Sequence, residues 1–426
     1  MSMNLKEDYI SLSTRFKDIL KNKTLFYAVF LNIFYFIFGL TLTLTLLKDN
    51  NDFVVYYRAG QLFLYDLNGL YDPINFTSIG IWPFRYLPIS AIYFMLFYLL
   101  GFNLGFILFS IINLILNILI CVLLYKIIIL IKGKDFESEK KRVLLYISIF
   151  LMSLPNLFNY ILGQINLYVT FLILLSLFLF LKYESLKWDF ISSFILGLSV
   201  IFKPITILMI PFLLVLKYNY KIRKFEFNLP KTLIRLVGAL IPLFFNLLFF
   251  FLFPVLWKGF LESNFTGTEP IQSNHSFSIS KLIINYYIFN NLPPSALLII
   301  IILLLFFSCL GIIVYVFRRF EQNSIVIGYT FAILIMLLVY FDTWDHHLLM
   351  LTPLLIILVF LLPRNSEITK KFLKPSFIFL SFFDLIFMGI WFITQEFFPF
   401  NFMSTIFLSL TFFGIGKVCL EKHSND

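Results

Sequence analysis

From Leu25 to Leu47 the chain runs without a charged residue, and comparable apolar runs recur along its length. As a helix the first run is about 35 Å long at 1.5 Å per residue, enough to cross the hydrocarbon core of a bilayer. Repetition of such runs points to an all-α polytopic membrane protein, because a soluble core has no room to hide them. The composition agrees, with 60% hydrophobic residues, 13% charged and a mean hydropathy of +0.93. The 58 Phe and 22 Tyr suit packing in lipid, but the bias toward Phe, Ile, Asn and Lys is equally what an AT-rich genome produces. Nothing about mechanism follows from it.

A formal net charge of +10 would suggest nucleic acid in a soluble protein. Here Lys and Arg occupy short loops between apolar runs, where the positive-inside bias puts them, so no nucleic-acid partner is expected. Cys121, Cys309 and Cys419 lie in apolar segments without metal-like spacing and give no disulfide argument. Residues 1–24 mix Lys6, Glu7, Asp8, Arg15, Lys17, Asp18, Lys21 and Lys23, and the run behind them is too long for a cleaved signal. The segment 25–47 therefore reads as a signal anchor with a cytoplasmic N-terminus.

Charge orders the remaining spans. The apolar stretch 88–100 is short for a crossing, and counting it as one would place Lys132, Lys134, Lys140, Lys141 and Arg142 outside. Read as an interfacial helix of a first outer loop, 48–104, it leaves that basic loop inside. Further spans then fall near 105–131, 143–160, 166–182, 190–203, 204–217, 233–256, 296–317, 324–341, 347–363, 375–394 and 403–418. With the first, that makes about twelve transmembrane helices in a single domain, a second large outer loop over 257–295 and a cytoplasmic tail over 419–426. Most of the 33 Lys and Arg fall inside; Lys48, Arg58, Arg85, Lys203, Lys258 and Lys281 remain outside. The pair 190–217 meets at Phe202-Lys203-Pro204, where proline removes a backbone donor, so it is either two short spans or a re-entrant pair. Lys203 must face protein or water in both cases.

This topology sorts the chemistry to one face. Asp49, Asp52, Asp66, Asp72, Glu262, Glu269, His275, Asp342, Asp345, His346, His347 and Glu396 belong to outer loops or outer helix ends. Carboxylates, aromatics and cations above a hydrophobic slab can take a polar group from water and an acyl or isoprenoid tail from lipid. Asp384 is the exception, a mid-span carboxylate in Phe382-Phe383-Asp384-Leu385 that needs a partner or a proton.

Asp52-Phe53-Val54-Val55-Tyr56-Tyr57-Arg58-Ala59-Gly60, followed by Leu70-Tyr71-Asp72-Pro73 and by Tyr86-Leu87-Pro88 opening an apolar helix, resembles the N-terminal signature of glycosyltransferase family 87. That family comprises polyprenol-phosphate-mannose-dependent mannosyltransferases of the C-type superfamily. Gly163-Gln164-Ile165-Asn166, Gly197-Leu198 through Lys203-Pro204 to Pro211, Ser273-Asn274-His275-Ser276 and Trp344-Asp345-His346-His347 are similar to further motifs in the same order. The likeness spans about residues 30–360. Leu87 in place of a first Pro, Pro204 directly after Lys203, and His275 in place of Gln depart from the pattern, around the expected substrate pocket.

The resemblance implies a C-type glycosyltransferase architecture. It implies a hexosyltransferase, for mannose above other sugars, that uses a polyprenyl-phosphate sugar donor and a lipid-linked or glycan acceptor at the outer face of the cytoplasmic membrane. A lipid monophosphate is its own leaving group, so neither a metal nor another cofactor is required. Asp52 is then the general base, and Lys203 the first phosphate cation, with Arg58, Arg85, His346 and His347 behind it. Tyr56, Tyr86, Gln164, Asn166, Asn274, His275 and Trp344 complete the expected binding set. Each residue also has a plainer reading. Asp52 is a good helix N-cap, Asp66 and Asp72 suit turns, Lys203 and Arg85 suit the interface, and Gln164 and Asn166 suit the start of a helix. A lipid-linked oligosaccharide ligase shares the expected outer site; a flippase would want ionisable groups on both sides.

Overall fold

The computed structural model describes residues 22–77, 82–219, 222–266, 276–317, 324–362, 366–384, 386, 389–390, 393 and 402–421. Apart from one short hairpin the regular structure among the described residues is helical. α1 (Lys23–Thr45) leads to α2 (Asp52–Tyr65) and α3 (Pro88–Leu99), and then come α4 (Phe102–Lys132), α5 (Phe136–Met152), α6 (Leu154–Leu162), α7 (Asn166–Lys182) and α8 (Leu186–Phe202). A 3-10 segment, Pro204–Leu213, precedes the hairpin of β1 (Leu216–Asn219) and β2 (Lys224–Phe227). Beyond it lie α9 (Leu229–Leu252), α10 (Pro254–Leu261), α11 (Ile279–Phe289), α12 (Ala296–Phe317), α13 (Ser324–Val339) and α14 (Leu348–Leu361). Thr369–Phe383 alternates π and α turns, and α15 (Met403–Glu421) closes the described chain. By length and apolarity Lys23–Thr45, the helical stretch Phe102–Leu162 made of α4, α5 and α6, Leu229–Leu252 and Ala296–Phe317 are each able to cross a membrane. The chain is an all-α polytopic membrane protein.

The expected helix over 88–100 is present as α3, started by Pro88 at a position that needs no N–H. It lies against α2, and the crossing is close because Gly60 carries no side chain. A Cβ there would meet the backbone carbonyl of Phe94 at 2.7 Å. The span 296–317 falls where expected, as do 166–182 and 403–418 to within a few residues.

Three expected spans differ, each for a backbone reason, and part of a fourth, 375–394, lies outside the described residues. The stretch 143–160 is two helices, because Ser153 is extended ahead of Pro155. The carbonyls freed by this break are bonded from α1, where Asn32 Nδ2 donates to Leu151 O at 2.9 Å and the Tyr35 hydroxyl to Met152 O at 3.1 Å. The stretch 204–217 is not an α-helix but a ten-residue 3-10 segment that turns into β1. Pro204 and Pro211 each withhold an N–H from the α pattern, and Ser199 and Thr206 supply side-chain oxygens at the break. The span expected over 233–256 begins earlier and ends at Leu252, where Phe253 breaks the chain ahead of Pro254.

The most extensive helix pair is α8 against α9. The two run in the same direction, with the 3-10 segment as the return. Their starts are tied by Asp189, buried in the first turn of α8, which takes Arg235 at 2.7 Å and Lys231 at 3.6 Å from the first turns of α9. Their far ends border the cavity described next.

Gly60→Val is expected to lower the thermal midpoint in detergent by the equivalent of about 1–3 kcal/mol, since overpacking here meets backbone rather than a mobile side chain. Circular dichroism melts of the purified variant would check it, and an unchanged midpoint would show that α2 is free to move off α3.

Candidate active site

A cavity of about 880 Å³ opens where the turn after α1, the start of α2, the residues before α7, the end of α8, the second half of α9 and the segment before α14 meet. Its polar wall carries Asp52, Arg85, Lys203 and Asp342, with His346 and His347 beside them. Its other wall is apolar, built from Val200, Ile207, Leu240, Leu243, Leu247 and Phe250. Ile207, Leu240 and Leu247 are exposed, so this wall is open rather than enclosed.

Asp52 is not the cap of its helix. Asn51 is: it is extended, its Oδ1 accepts from Val54 N at 3.2 Å, and its Nδ2 ties back to Leu47 O at 2.6 Å. The plainer reading of Asp52 therefore passes to its neighbour, and the Asp52 carboxylate points across the cavity to accept from Gln164 Nε2. Gln164 reaches it because Gly163 turns the chain at φ 63°, in the left-handed region that favours glycine. A side chain at that position would also strike Phe53 Cβ and the Phe106 ring, each at 2.8 Å. The Tyr56 hydroxyl donates to Gln164 Oε1 at 2.9 Å and shares a 2.8 Å hydrogen bond with Tyr86, so the amide is oriented from behind.

Asp52 keeps part of its surface open to the cavity, yet enough protein surrounds its carboxyl to push its pKa up to about 6. Burial is the largest cause. The Gln164 hydrogen bond opposes it, Asp342 adds to it, and Lys203 and Arg85 oppose it more weakly.

Arg85 pairs with the Asp342 carboxylate, whose other oxygen accepts from the Trp344 indole at 2.5 Å. Lys203 is 5% exposed and donates to Asn166 Oδ1 at 2.8 Å. It therefore does not reach for the interface. The imidazoles of His346 and His347 sit 4.4 Å apart, and His347 Nδ1 accepts from Trp344 N at 2.9 Å. Burial first, and then the Lys203 charge, hold both rings well below the ordinary histidine range and so neutral. Among the described residues no three of His, Cys, Asp or Glu come together as a metal-binding group.

Asp52, Tyr56, Arg85, Tyr86, Gln164, Lys203, Trp344, His346 and His347 thus share one cavity, and Asn166 touches it through Lys203. Arg58 does not line it. That side chain turns to Asn75 O at 3.3 Å and Gln61 Oε1 at 2.6 Å and stitches α2 to the loop behind. Asn274 and His275 lie outside the described residues. Asp66 and Asp72 accept from Gly69 N and Ile74 N, as turn residues do.

Sequence reasoning missed Asp342 as the partner of Arg85, since the two are 257 residues apart. It also missed Asn246, whose Oδ1 accepts from Ile89 N at 3.1 Å and satisfies the start of α3. Asp384 is buried against Asp345, a neighbour the sequence could not name.

Residues 84–341 match the family model described as Glycosyltransferase family 87. The chain belongs to glycosyltransferase family 87. No curated protein sequence matches it significantly. The family 87 match is shorter than the likeness read from the motifs and begins after Asp52, so the case for that carboxylate rests on its geometry. A family 87 chain is a membrane glycosyltransferase, and it requires a sugar donor and an acceptor.

Two outcomes test the Asp52 environment. A carboxyl whose folded pKa is raised from 3.8 to about 6 leaves the ionised form costly in the fold. The cost is absent where both states are protonated, grows as pH rises through that interval and is full above it. Asp52→Asn is therefore expected to melt higher than wild type near neutral pH, by at most about 3 kcal/mol, and to match it below about pH 4. Gln164→Leu removes the hydrogen bond that lowers the Asp52 pKa and is expected to move the acid limb of the pH–rate profile to higher pH. A limb that stays in place would mean that the amide does not act on the ionisation.

Proposed function

We propose that this family 87 protein transfers a hexose, mannose in our reading, from a polyprenyl-phosphate carrier to a hydroxyl of a lipid-linked or glycan acceptor. In this reading the architecture is of the C-type, both termini are cytoplasmic and the cavity opens at the outer face of the cytoplasmic membrane. The observation that carries it is a carboxylate relieved of capping duty by Asn51 and poised across one cavity from Arg85 and Lys203, with an open apolar wall beside them.

The chemistry follows from that arrangement. Asp52 takes the proton of the acceptor hydroxyl as its oxygen attacks the anomeric carbon, and the bond from that carbon to the carrier phosphate breaks with its electrons passing to phosphate. Attack opposite the leaving group inverts the centre. A positioned base contributes on the order of 10²- to 10⁴-fold. Arg85, oriented by Asp342, and Lys203, seated by Asn166, stabilise charge growing on the departing phosphate where water is scarce. A monophosphate leaving group needs no divalent ion to neutralise it. The neutral His346 and His347 and the Trp344 indole offer hydrogen bonds and a flat face to the sugar.

Purified protein incubated with labelled polyprenyl-phosphate mannose and a membrane lipid extract should form a labelled product, at least 10²-fold more slowly in Asp52→Asn. The wild-type kcat/KM should rise with pH through about 6, as ionisation of Asp52 requires. Undiminished transfer by Asp52→Asn removes it as the base. Transfer only from an oligosaccharide diphosphate carrier would make the protein a ligase.

A further inference from the structure

The hairpin after the 3-10 segment has two unlike faces. Its register pairs Leu216 with Phe227, Lys217 with Glu226, Tyr218 with Phe225 and Asn219 with Lys224. Because side chains alternate along a strand, Leu216, Tyr218, Phe225 and Phe227 share one face, and Lys217, Asn219, Lys224 and Glu226 the other.

The apolar face rests on the end of α12. Tyr218 and Phe225 stack round Phe317 with ring centroids 5.1 and 5.8 Å away. That contact covers only part of it, since Phe225 is 57% and Phe227 52% exposed. At the tip, Ile222 is exposed beside Arg223, which takes a positive φ of 52° to close the turn. On the polar side Glu226 is claimed by Lys217 at 3.0 Å. Among the described residues no carboxylate pairs with Arg223 or Lys224, and both are exposed.

Position decides what can cover such a surface. The hairpin joins the 3-10 segment to α9, whose 24 residues reach about 36 Å from the hairpin to the cavity end. It therefore sits at the membrane boundary opposite the cavity, beside the Asp189 tie, with exposed aromatics on one face, Lys224 on the other and Arg223 at the tip. Aromatics seat at the headgroup level and cations pair with anionic lipid.

We propose that the hairpin is a docking surface for anionic phospholipid headgroups, Phe225 and Phe227 entering the acyl boundary and Arg223 and Lys224 holding the phosphates.

Native mass spectrometry of the full chain in detergent, titrated with phosphatidylglycerol or phosphatidylcholine, tests this. Wild type should bind phosphatidylglycerol in preference. R223S/K224S should lose on the order of ten- to thirty-fold of that affinity, as removal of two surface cations implies, with phosphatidylcholine binding unchanged. Both side chains are exposed, so the variant is expected to melt with wild type; should it not fold, Lys224→Gln carries the same test with a roughly five-fold loss. Phosphatidylglycerol affinity unchanged in a folded variant, or equal binding of the two lipids by wild type, overturns the proposal. Neither readout depends on sugar transfer.

Discussion

Inside a hydrocarbon slab a backbone carbonyl or N–H has no water to bond, so every place where a helix breaks must be answered by another part of the protein. This protein breaks its helices repeatedly, and the answers define its interior. At Ser153 the loose carbonyls of Leu151 and Met152 are taken by Asn32 and Tyr35, and Asn156 Nδ2 reaches Phe150 O at 2.6 Å. Thr43 takes Ile161 O at 2.6 Å just before the Gly163 turn. At the end of α8 the hydroxyls of Ser199 and Thr206 are 3.2 Å apart and bond the carbonyls of Leu196 and Lys203. Two of the breaks, at Gly163 and Lys203, border the cavity, and there irregular backbone and polar side chains share one region.

The same requirement explains why Asp52 is available. A helix start inside protein needs an acceptor for its first free N–H groups, and two adjacent residues, Asn51 and Asp52, are both suited to the task. Asn51 takes it while holding the end of α1, which leaves the carboxylate to Gln164. A single amide, Gln164, rather than a cation, supports Asp52 directly, so its charge stays sensitive to burial and to the two cations farther across the cavity.

Much of this was legible in the chain. Periodic apolar runs predicted the bundle and located α12 and α7, and the short run after Pro88 was read as a helix of its own. Local motifs brought Tyr56, Gln164, Asn166 and Lys203 to notice, and all four take part in the polar wall or its support. Three kinds of feature were not legible. Hydropathy does not distinguish an α-helix from a 3-10 segment, so 204–217 read as the second member of two short spans or of a re-entrant pair, with no sign that it is a 3-10 segment running into a strand. Long-range pairs such as Arg85 with Asp342 depend on which helix ends meet, and no local pattern records that. Arg58, three residues from Gln61 on the same helix, had a nearer partner than any substrate.

The ten-residue segment Pro204–Leu213 has a consequence for the bilayer itself. At a 3-10 rise of about 2.0 Å per residue it covers about 20 Å, against roughly 30 Å of hydrocarbon. Ile207 within it is exposed, so the segment presents a wall shorter than the hydrocarbon. That is a mismatch which the long neighbouring α9 does not impose. Since Ile205 and Ile207 of this segment also line the cavity, the mismatch falls on the cavity's own apolar side.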